Sequence, residues 1–250
     1  MNLPLMEINS KEIIGAHENN EIIENEDNKY VDPLETSGEF EGDIILETAQ
    51  DKNAVRNENL KWPGGIVPYT IARDFGKKGR QEIKRAVNEF ARHSCVKFVP
   101  RTDQRDYLSI VRGAGCSSHV GRRGGKQELT LAPPCDRVTT VMHEFMHALG
   151  FWHEQSRTDR DDYVSIRWEN IKPGDEHNFL KYNLDVVQFL GEGYDYSSLM
   201  HYGDRYFSKN EMPTIVPKRP VGKYGIGQKI GFSRTDIRKI NKLYNCNRHL

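Results

Sequence analysis

The sequence predicts an α+β fold, in which the N-terminal half of a domain combines short strands with helices and the C-terminal half is largely irregular. Three observations support this prediction. Apolar runs of strand length alternate with one helical pattern between residues 66 and 132, a second apolar helical pattern follows, and turn-rich chain then leads to a last helix. At 250 residues, the chain has room for one medium-sized domain and an extension.

The first predicted elements are strands and a helix. Strands rich in Val, Ile, Leu and Tyr are predicted at 66–72, 95–101, 106–112 and 127–132. Between the first two strands, residues 79–93 place Ile83 and Phe90 at helical spacing, which predicts an amphipathic helix. The Gly-, Ser- and Arg-rich stretch Gly113–Lys126 is predicted to be a loop.

Two later helices are predicted from apolar spacing and from a capping pattern. Residues 137–149 predict a buried helix, whose apolar side consists of Val141, Met142, Phe145, Met146 and Leu149. After this helix, turns such as Pro173-Gly174 predict irregular chain. Ser233, followed three residues later by Asp236, forms a capping box that predicts the start of the last helix.

The predicted buried helix carries a pattern of three histidines that favours metal binding. His143 and His147 are four residues apart, so they lie on one helical face, one turn apart. Gly150 can take a positive φ, end the helix and turn the chain, which would return His153 to the same metal ion. Three imidazoles leave one position of a tetrahedral zinc ion open, as in catalytic zinc sites.

Glu144 lies beside the first of these histidines, where a general base is needed. Zinc lowers the pKa of its water to about 7 and polarises a carbonyl group. We therefore expect zinc-activated water to hydrolyse peptide bonds, with Glu144 as the general base that later passes the proton to the leaving amine. The alternative is a helix whose histidines bind no metal, although the glycine and the third histidine at these offsets make coincidence rare.

The run from His143 to Asp161 reads HExxHxxGFxHExxRxDRD and resembles the signature of the astacin family of metzincin zinc endopeptidases. Ser198–Tyr202 is similar to the Met-turn of that family, and Trp62–Tyr69 is similar to the start of its catalytic domain. The four cysteines also match that domain. The resemblance covers about residues 53 to 250. It implies a metzincin (zincin-like) fold of two halves, separated by an active-site cleft that holds one zinc ion per chain.

The resemblance implies further roles near the metal. Tyr202 would ligate zinc at rest and hydrogen-bond the tetrahedral oxyanion during the reaction; the alternative is a buried core tyrosine. Met200 is expected beneath the imidazoles as an apolar floor, and His201 is interpreted as structural. Glu154 distinguishes astacins from other metzincins. By resemblance, it would face the new N-terminus that forms when the chain is cleaved near Asn53. The alternative for Glu154 is an ordinary surface salt bridge.

Residues 1–52 form an acidic leader with 14 acidic and 3 basic side chains, whereas the rest of the chain has 22 acidic and 33 basic ones. Within the leader, Phe40–Asp43 resembles the astacin pro-segment motif F-x-G-D. The resemblance implies a latent zymogen in which Asp43 is a further zinc ligand, until an activating protease cleaves near Lys52-Asn53. The chain is thus predicted to comprise a mostly extended inhibitory pro-segment, 1–52, and a catalytic domain, 53–250.

The opposite charges of the leader and the domain predict electrostatic docking. The first thirty residues are rich in Glu and Asn and poor in aromatics, so we expect them to be loosely ordered and the next twenty to be docked. The alternatives are a solvated tail and an interaction protein whose leader binds a basic partner. A further alternative, for the whole chain, is an inactive binding module that keeps zinc for structure. The presence of both Glu144 and Tyr202 argues against this alternative.

The four cysteines favour an oxidising compartment, and without CxxC pairs they predict no second zinc site. Spacing leaves all three pairings open, whereas the resemblance implies Cys95–Cys246 and Cys116–Cys135. No apolar run is long enough to span a membrane, and Met1–Met6 is too short for a secretory signal. We expect a secreted monomer, with its signal peptide missing from this chain, that acts on proteins or peptides and on neither nucleic acid nor membranes.

Basic residues are candidates for selecting the substrate. Lys229 stands where similar family members carry a basic residue, and Lys218 and Arg219 lie nearby in the sequence. By resemblance, these side chains would favour acidic residues just after the cleaved bond. The alternative is that Lys229 is an ordinary exposed lysine.

Overall fold

A computed structural model describes residues 32–46, 60–181, 189–227 and 230–247. Within these ranges the chain forms a six-stranded mixed sheet, a two-stranded sheet and three α-helices. Three sequence predictions lie outside them: the loose order of the first thirty residues, the cleavage site at Lys52-Asn53 and the position of Lys229.

The strands are β1 (Ile44–Ile45), β2 (Ile66–Ile71), β3 (Lys97–Pro100), β4 (Tyr107–Val111), β5 (Cys116–His119), β6 (Lys126–Leu131), β7 (Val164–Ile166) and β8 (Ile215–Pro217). The α-helices are α1 (Lys77–His93), α2 (Val138–Leu149) and α3 (Arg234–Leu243). The predicted α+β class is confirmed, and the predicted strands and helices are present with small shifts at their ends. Strands β1, β5, β7 and β8 are additional.

The larger sheet has the strand order β1-β5-β6-β4-β2-β3. Strand β5 is antiparallel to β6, and the other neighbouring pairs are parallel. Strand β1 comes from the leader and lies at the edge of the sheet, where Ile44 is opposite Ser118 of β5. Part of the acidic leader therefore belongs to the same sheet as the strands between residues 66 and 131.

The core lies where α1 and α2 pack on each other and on the sheet. Helix α1 is amphipathic and buries Ile83 and Phe90. The ring of Phe98 on β3 stacks on that of Phe145 on α2, with centroids 4.1 Å apart, and Phe90 lies 5.1 Å from Phe98. Full burial of each such side chain contributes about 1.5–3 kcal/mol. This packing fixes the position of α2, the helix that carries two of the histidines.

The predicted loop Gly113–Lys126 contains strand β5, so the prediction of a loop over the whole stretch is wrong. The sequence Cys-Ser-Ser-His lacks the apolar alternation by which a strand is recognised. Its residues are nevertheless buried, because β1 and β6 pair with both edges and α2 packs against it. These neighbours come from distant parts of the chain, so local sequence does not reveal the strand.

Two disulfides join Cys95 to Cys246 and Cys116 to Cys135, the pairs that the family resemblance implies. The first links the segment after α1 to the segment after α3, across a sequence separation of 151 residues. The second connects β5 to the short turn before α2. A disulfide of this kind stabilises a domain by about 2–4 kcal/mol.

The C-terminal half is less irregular than predicted, because β7 and β8 form an antiparallel pair. The predicted capping box is confirmed: the Ser233 hydroxyl accepts the Asp236 N–H at 2.9 Å, and the Asp236 carboxylate accepts the Ser233 N–H at 3.0 Å. Nowhere in the described ranges is a helix both long enough and apolar enough to cross a bilayer.

Candidate metal centre

Helix α2 presents two of the three histidines, and the chain after it returns the third. His143 and His147 lie one turn apart and are buried. Gly150 ends the helix at a φ of 112°, and its N–H donates to the carbonyl of His147 at 2.8 Å. A residue with a Cβ would be strained in this left-handed conformation. The glycine therefore permits the turn that brings His153 back to the other two histidines.

The three imidazoles surround a common centre. Their ring centroids are 4.8 Å apart for His143 and His147, 4.7 Å for His147 and His153, and 5.2 Å for His143 and His153. Asp43 of the leader completes the group. Its Oδ2 lies 2.9 Å from Nε2 of His143, and its Oδ1 lies 3.4 and 3.3 Å from the Nε2 atoms of the other two. All four side chains are buried, with one possible ligand atom each within 4.8 Å of the others.

Each imidazole donates a hydrogen bond from Nδ1, the ring nitrogen that faces away from the common centre. The acceptors are the Leu199 carbonyl for His143 (2.9 Å), the Phe151 carbonyl for His147 (2.7 Å) and the Glu41 carboxylate for His153 (2.7 Å). Such bonds fix the orientation of the ring and its tautomer. In the neutral form of each ring, the lone pair of Nε2 is then directed to the centre.

The electrostatics of this centre favour a cation. Burial opposes charge on Asp43 and on His153, but their mutual attraction outweighs it: the pKa of Asp43 falls well below its usual value, and that of His153 rises to about 9, with Glu41 contributing. Oδ1 of Asp43 and Nε2 of His147 are buried and form no hydrogen bond within the described part of the chain. Imidazole nitrogens and a carboxylate oxygen are ligands that zinc prefers, so these residues fit one zinc ion.

Two predicted catalytic side chains are buried beside the histidines. Glu144 follows His143 on α2 and is fully buried. The ring centroid of Tyr202 lies 4.7 Å from that of His153, and its hydroxyl donates to the backbone carbonyl of Glu41 at 2.6 Å. Tyr202 is therefore hydrogen-bonded to the leader.

The turn before Tyr202, the predicted Met-turn, is fixed by Asp236 of α3. The Asp236 carboxylate accepts from the Ser198 hydroxyl at 2.7 Å and from the Leu199 N–H at 2.9 Å. The carbonyl of Leu199 in turn accepts from His143. Burial raises the pKa of Asp236 to about 6 despite these hydrogen bonds. Sequence reasoning assigns Asp236 to the capping box alone and misses this second role, because it depends on a distant segment.

Met200 is buried at the centre of the turn, and its carbonyl accepts the N–H of Glu154 at 2.9 Å. Both ring nitrogens of His201 are engaged: Nδ1 donates to the carbonyl of Tyr202 at 2.8 Å, and Nε2 accepts from the hydroxyl of Tyr194 at 2.6 Å. Burial lowers the pKa of His201 to about 4, so the ring is neutral at physiological pH. These contacts agree with the interpretation of His201 as a structural residue.

Glu154 is buried and accepts from three donors. Lys239 Nζ lies at 2.6 Å, the Asp195 N–H at 2.9 Å and Arg157 Nη1 at 3.3 Å. The alternative of a surface salt bridge is wrong, because Glu154 and Lys239 are only 4% and 5% exposed. Asn53, near the expected new N-terminus, lies outside the described residues. The ammonium beside Glu154 is that of Lys239, which sequence reasoning did not single out.

Glu41, the unspecified residue of the F-x-G-D motif, is also missed by sequence reasoning. Its Oε1 accepts the hydroxyl of Ser156 at 2.5 Å, while its Oε2 accepts from His153. Its N–H donates to Oδ1 of Asn178 at 2.8 Å. The only local sign of this role is a charged residue beside the motif's glycine and aspartate, which does not distinguish it from the other acidic residues of the leader.

Lys218 and Arg219 lie at the end of β8 and contact the segment before β7. The Lys218 ammonium donates to the backbone carbonyl of Asp161, and the Arg219 guanidinium lies 5.2 Å from the ring centroid of Tyr163. A role for these cations in selecting acidic substrates stays a prediction.

Residues 54–245 match the model of the peptidase family described as "Astacin". The chain is 45% identical over 217 residues to zinc metalloproteinase nas-4 of Caenorhabditis elegans, and the match covers 82% of this chain and 69% of that protein. It is also 45% identical over 212 residues to meprin A subunit beta of Homo sapiens. That match covers 84% of this chain but spans only 30% of the length of the relative.

Solved structures with a similar fold are also found. The chain superimposes on high choriolytic enzyme 1, a hatching enzyme zinc-protease from Oryzias latipes, with a TM-score of 0.70 and 38% identity. The match covers 82% of this chain and 100% of that one. A structure of myroilysin, at 20% identity and a TM-score of 0.55, shares the fold; that match covers 75% of this chain and 96% of the other.

Proposed function

Because this chain belongs to the astacin family of zinc metallopeptidases and hydrolyses peptide bonds with one zinc ion, we propose that it is a secreted endopeptidase made as a latent zymogen. The leader, residues 1–52, would keep it inactive until cleavage near Lys52-Asn53. The observation that supports this most directly is the position of the Asp43 carboxylate, 2.9 to 3.4 Å from three imidazole nitrogens.

His143, His147 and His153 would hold the zinc ion, with Asp43 as a fourth ligand in the uncut chain. When bound, zinc supplies Lewis acidity, which polarises the scissile carbonyl and lowers the pKa of water to about 7. With Asp43 in the fourth position, the reacting water has no place beside the histidines. Latency follows from that occupancy.

Glu144 is proposed as the general base. Its carboxylate would take a proton from water while the water oxygen bonds to the carbonyl carbon of the peptide. When the C–N bond breaks, the same group would return the proton to the leaving nitrogen. The position of Glu144 beside His143, buried from bulk solvent, supports this role.

Tyr202 is proposed to stabilise the oxyanion. Its hydroxyl already donates to a backbone carbonyl, that of Glu41, 2.6 Å away. Once the leader leaves, the same donor would serve the negatively charged oxygen of the tetrahedral intermediate. The leader would therefore contact two parts of the active site, the metal position through Asp43 and the hydroxyl of Tyr202 through Glu41.

The leader also occupies the edge of the sheet. Strand β1 pairs with β5, so that Ile44 and Ile45 lie opposite Ser118 and His119. An extended peptide can bind a sheet edge through main-chain hydrogen bonds. We propose that substrates use the edge of β5 after the leader has been removed.

Activation and location complete the proposal. A trypsin-like protease would cleave near Lys52-Asn53, with Arg56 as a competing site, and the new N-terminus would approach Glu154 beside Lys239. The two disulfides support secretion into an oxidising compartment. The enzyme is proposed to act as a monomer on proteins or peptides.

Casein zymography of the uncut and the trypsin-treated chain, with and without a zinc chelator, tests the proposal. Only the treated, zinc-containing sample should clear casein. Asp43→Ala should raise the activity of the uncut chain, whereas Glu39→Gln, which alters an exposed carboxylate of the leader, should not. Uncut wild type as active as the treated sample would refute latency. Near-normal turnover by zinc-loaded, activated Glu144→Ala would remove Glu144 as the base.

A further inference from the structure

The three histidines differ in the origin of the acceptor at Nδ1. For His143 and His147 the acceptors are backbone carbonyls of the catalytic domain, which cleavage of the leader would retain. For His153 the acceptor is the side chain of Glu41, 112 residues away in the leader. A carboxylate behind a metal-binding imidazole fixes the ring and increases the basicity of the ligand. One of the three rings thus depends on a segment that activation would remove.

The carboxylate, the backbone N–H and the backbone carbonyl of Glu41 all form hydrogen bonds. Its carboxylate is buried, with His153 at 2.7 Å on one oxygen and the Ser156 hydroxyl at 2.5 Å on the other. Its N–H donates to Asn178 at 2.8 Å, and its carbonyl accepts from Tyr202 at 2.6 Å. Its φ of 49° is left-handed, a conformation that costs a non-glycine residue energy and persists when surrounding contacts enforce it.

We infer that Glu41 is a positioning residue for the third zinc-binding histidine, so that the leader completes the zinc site that it also blocks. This inference rests on the proposed function, in which residues 1–52 leave at activation. Asp43 closes the metal position, and Glu41 orients His153. Cleavage would remove both carboxylates, so that Nδ1 of His153 loses its charged acceptor. The uncut chain should therefore hold zinc more tightly than the cleaved chain, which keeps the three histidines but loses both carboxylates.

Zinc release from the uncut chain tests this inference. Zinc-loaded wild type, Glu41→Ala, Glu41→Gln and Glu39→Gln are mixed with excess chelator, and zinc transfer is followed over time. Glu39 is an exposed carboxylate of the same leader, so its variant controls for the loss of charge. Because the outer partners of metal ligands change affinity by about 10–100-fold, Glu41→Ala should release zinc at least about tenfold faster than Glu39→Gln. Glu41→Gln keeps the size and one acceptor oxygen and should be intermediate.

Cobalt substitution gives a second readout. The visible absorption of bound Co²⁺ reports the geometry of its ligands, so Glu41→Ala should alter the spectrum and Glu39→Gln should not. Zinc release and a cobalt spectrum like those of Glu39→Gln would overturn the inference. If Glu41→Ala does not fold, Glu41→Gln decides the question by the same two measurements.

Two further samples separate this inference from the proposed latency. After cleavage, the Glu41 variants should match wild type in zinc release and in kcat/KM, because the residue has left with the leader; a defect that persists would overturn the positioning role. Asp43→Asn tests the block alone. An uncut Asp43→Asn chain without increased activity would refute the block by Asp43, whereas the Glu41 comparison would still report on His153.

Discussion

The buried ion pair between Lys239 and Glu154 leads to a quantitative prediction for stability. Lys239→Met keeps most of the side-chain volume and removes the ammonium that lies 2.6 Å from Glu154. Glu154 then stays buried with two remaining donors, the Asp195 N–H at 2.9 Å and the Arg157 guanidinium at 3.3 Å. Neither donor replaces the lost charge at the same distance.

Removing one partner of a buried ion pair costs about 3–5 kcal/mol, because the other charge stays in a medium of low dielectric constant. The two remaining donors place Lys239→Met at the lower end, a fall of about 3 kcal/mol in the free energy of unfolding. For a domain of this size, that corresponds to a melting temperature lower by about 6–12 °C.

Denaturant unfolding of the zinc-loaded, uncut chain measures this loss. Lys242→Met is a matched control on the same helix: it contacts Glu192 at 2.6 Å but is 36% exposed, so it should cost no more than about 1 kcal/mol. Combining Glu154→Gln with Lys239→Met should recover much of the loss. Equal stability of the two lysine variants, or a double variant that loses the sum of its single variants, would refute the reasoning.

Three further predictions concern the leader and the cleft. Burial raises the pKa of Glu35 from 4.5 to about 7. The protonated side chain therefore stabilises the fold fully below pH 4.5, and this contribution of about 3 kcal/mol to the free energy of unfolding is lost as the pH rises through 7. Glu35→Gln should flatten this pH dependence of unfolding, and an unchanged slope would contradict the assignment. Gly42→Ala puts a Cβ 2.5 Å from the Leu34 carbonyl at a φ of 80°, so it should raise the activity of the uncut chain and leave the activated enzyme unchanged; equal latency would count against close packing there. Tyr202→Phe should lower kcat of the activated enzyme by about 10²–10³ without loss of zinc, and a loss below about threefold would exclude oxyanion stabilisation of that size.

The elements around the histidines are predictable because each carries its own pattern. Apolar periodicity marks α1 and the strands β2, β3, β4 and β6, since each buries one face or both in the same core. Helix α2 combines a buried pattern with ligand spacing and a terminal glycine, so the sequence alone predicts that His143, His147 and His153 converge. The capping box of α3 is equally local.

The remaining features depend on contacts between distant segments. Strand β5 has no apolar alternation and is a strand because β1 and β6 pair with it. Glu41 is one of many acidic residues in the leader until the fold brings it to His153. Lys239 carries no sign in the sequence that separates it from other lysines, and only the packing of α3 beside Glu154 buries it. Spacing within one element does not encode such pairings.

If the leader is removed as proposed, strand β5 becomes an edge strand of the larger sheet. A bare strand edge is a template for aggregation, and short edges limit that risk. The edge that would lose Ile44 and Ile45 on the proposed cleavage belongs to a strand of four residues, Cys-Ser-Ser-His, with few apolar side chains. Such a strand offers a neighbouring molecule little surface for stacking, yet it keeps main-chain groups with which one extended polypeptide can form a ladder. The same four residues can therefore limit aggregation and still allow an extended peptide to pair with the sheet edge.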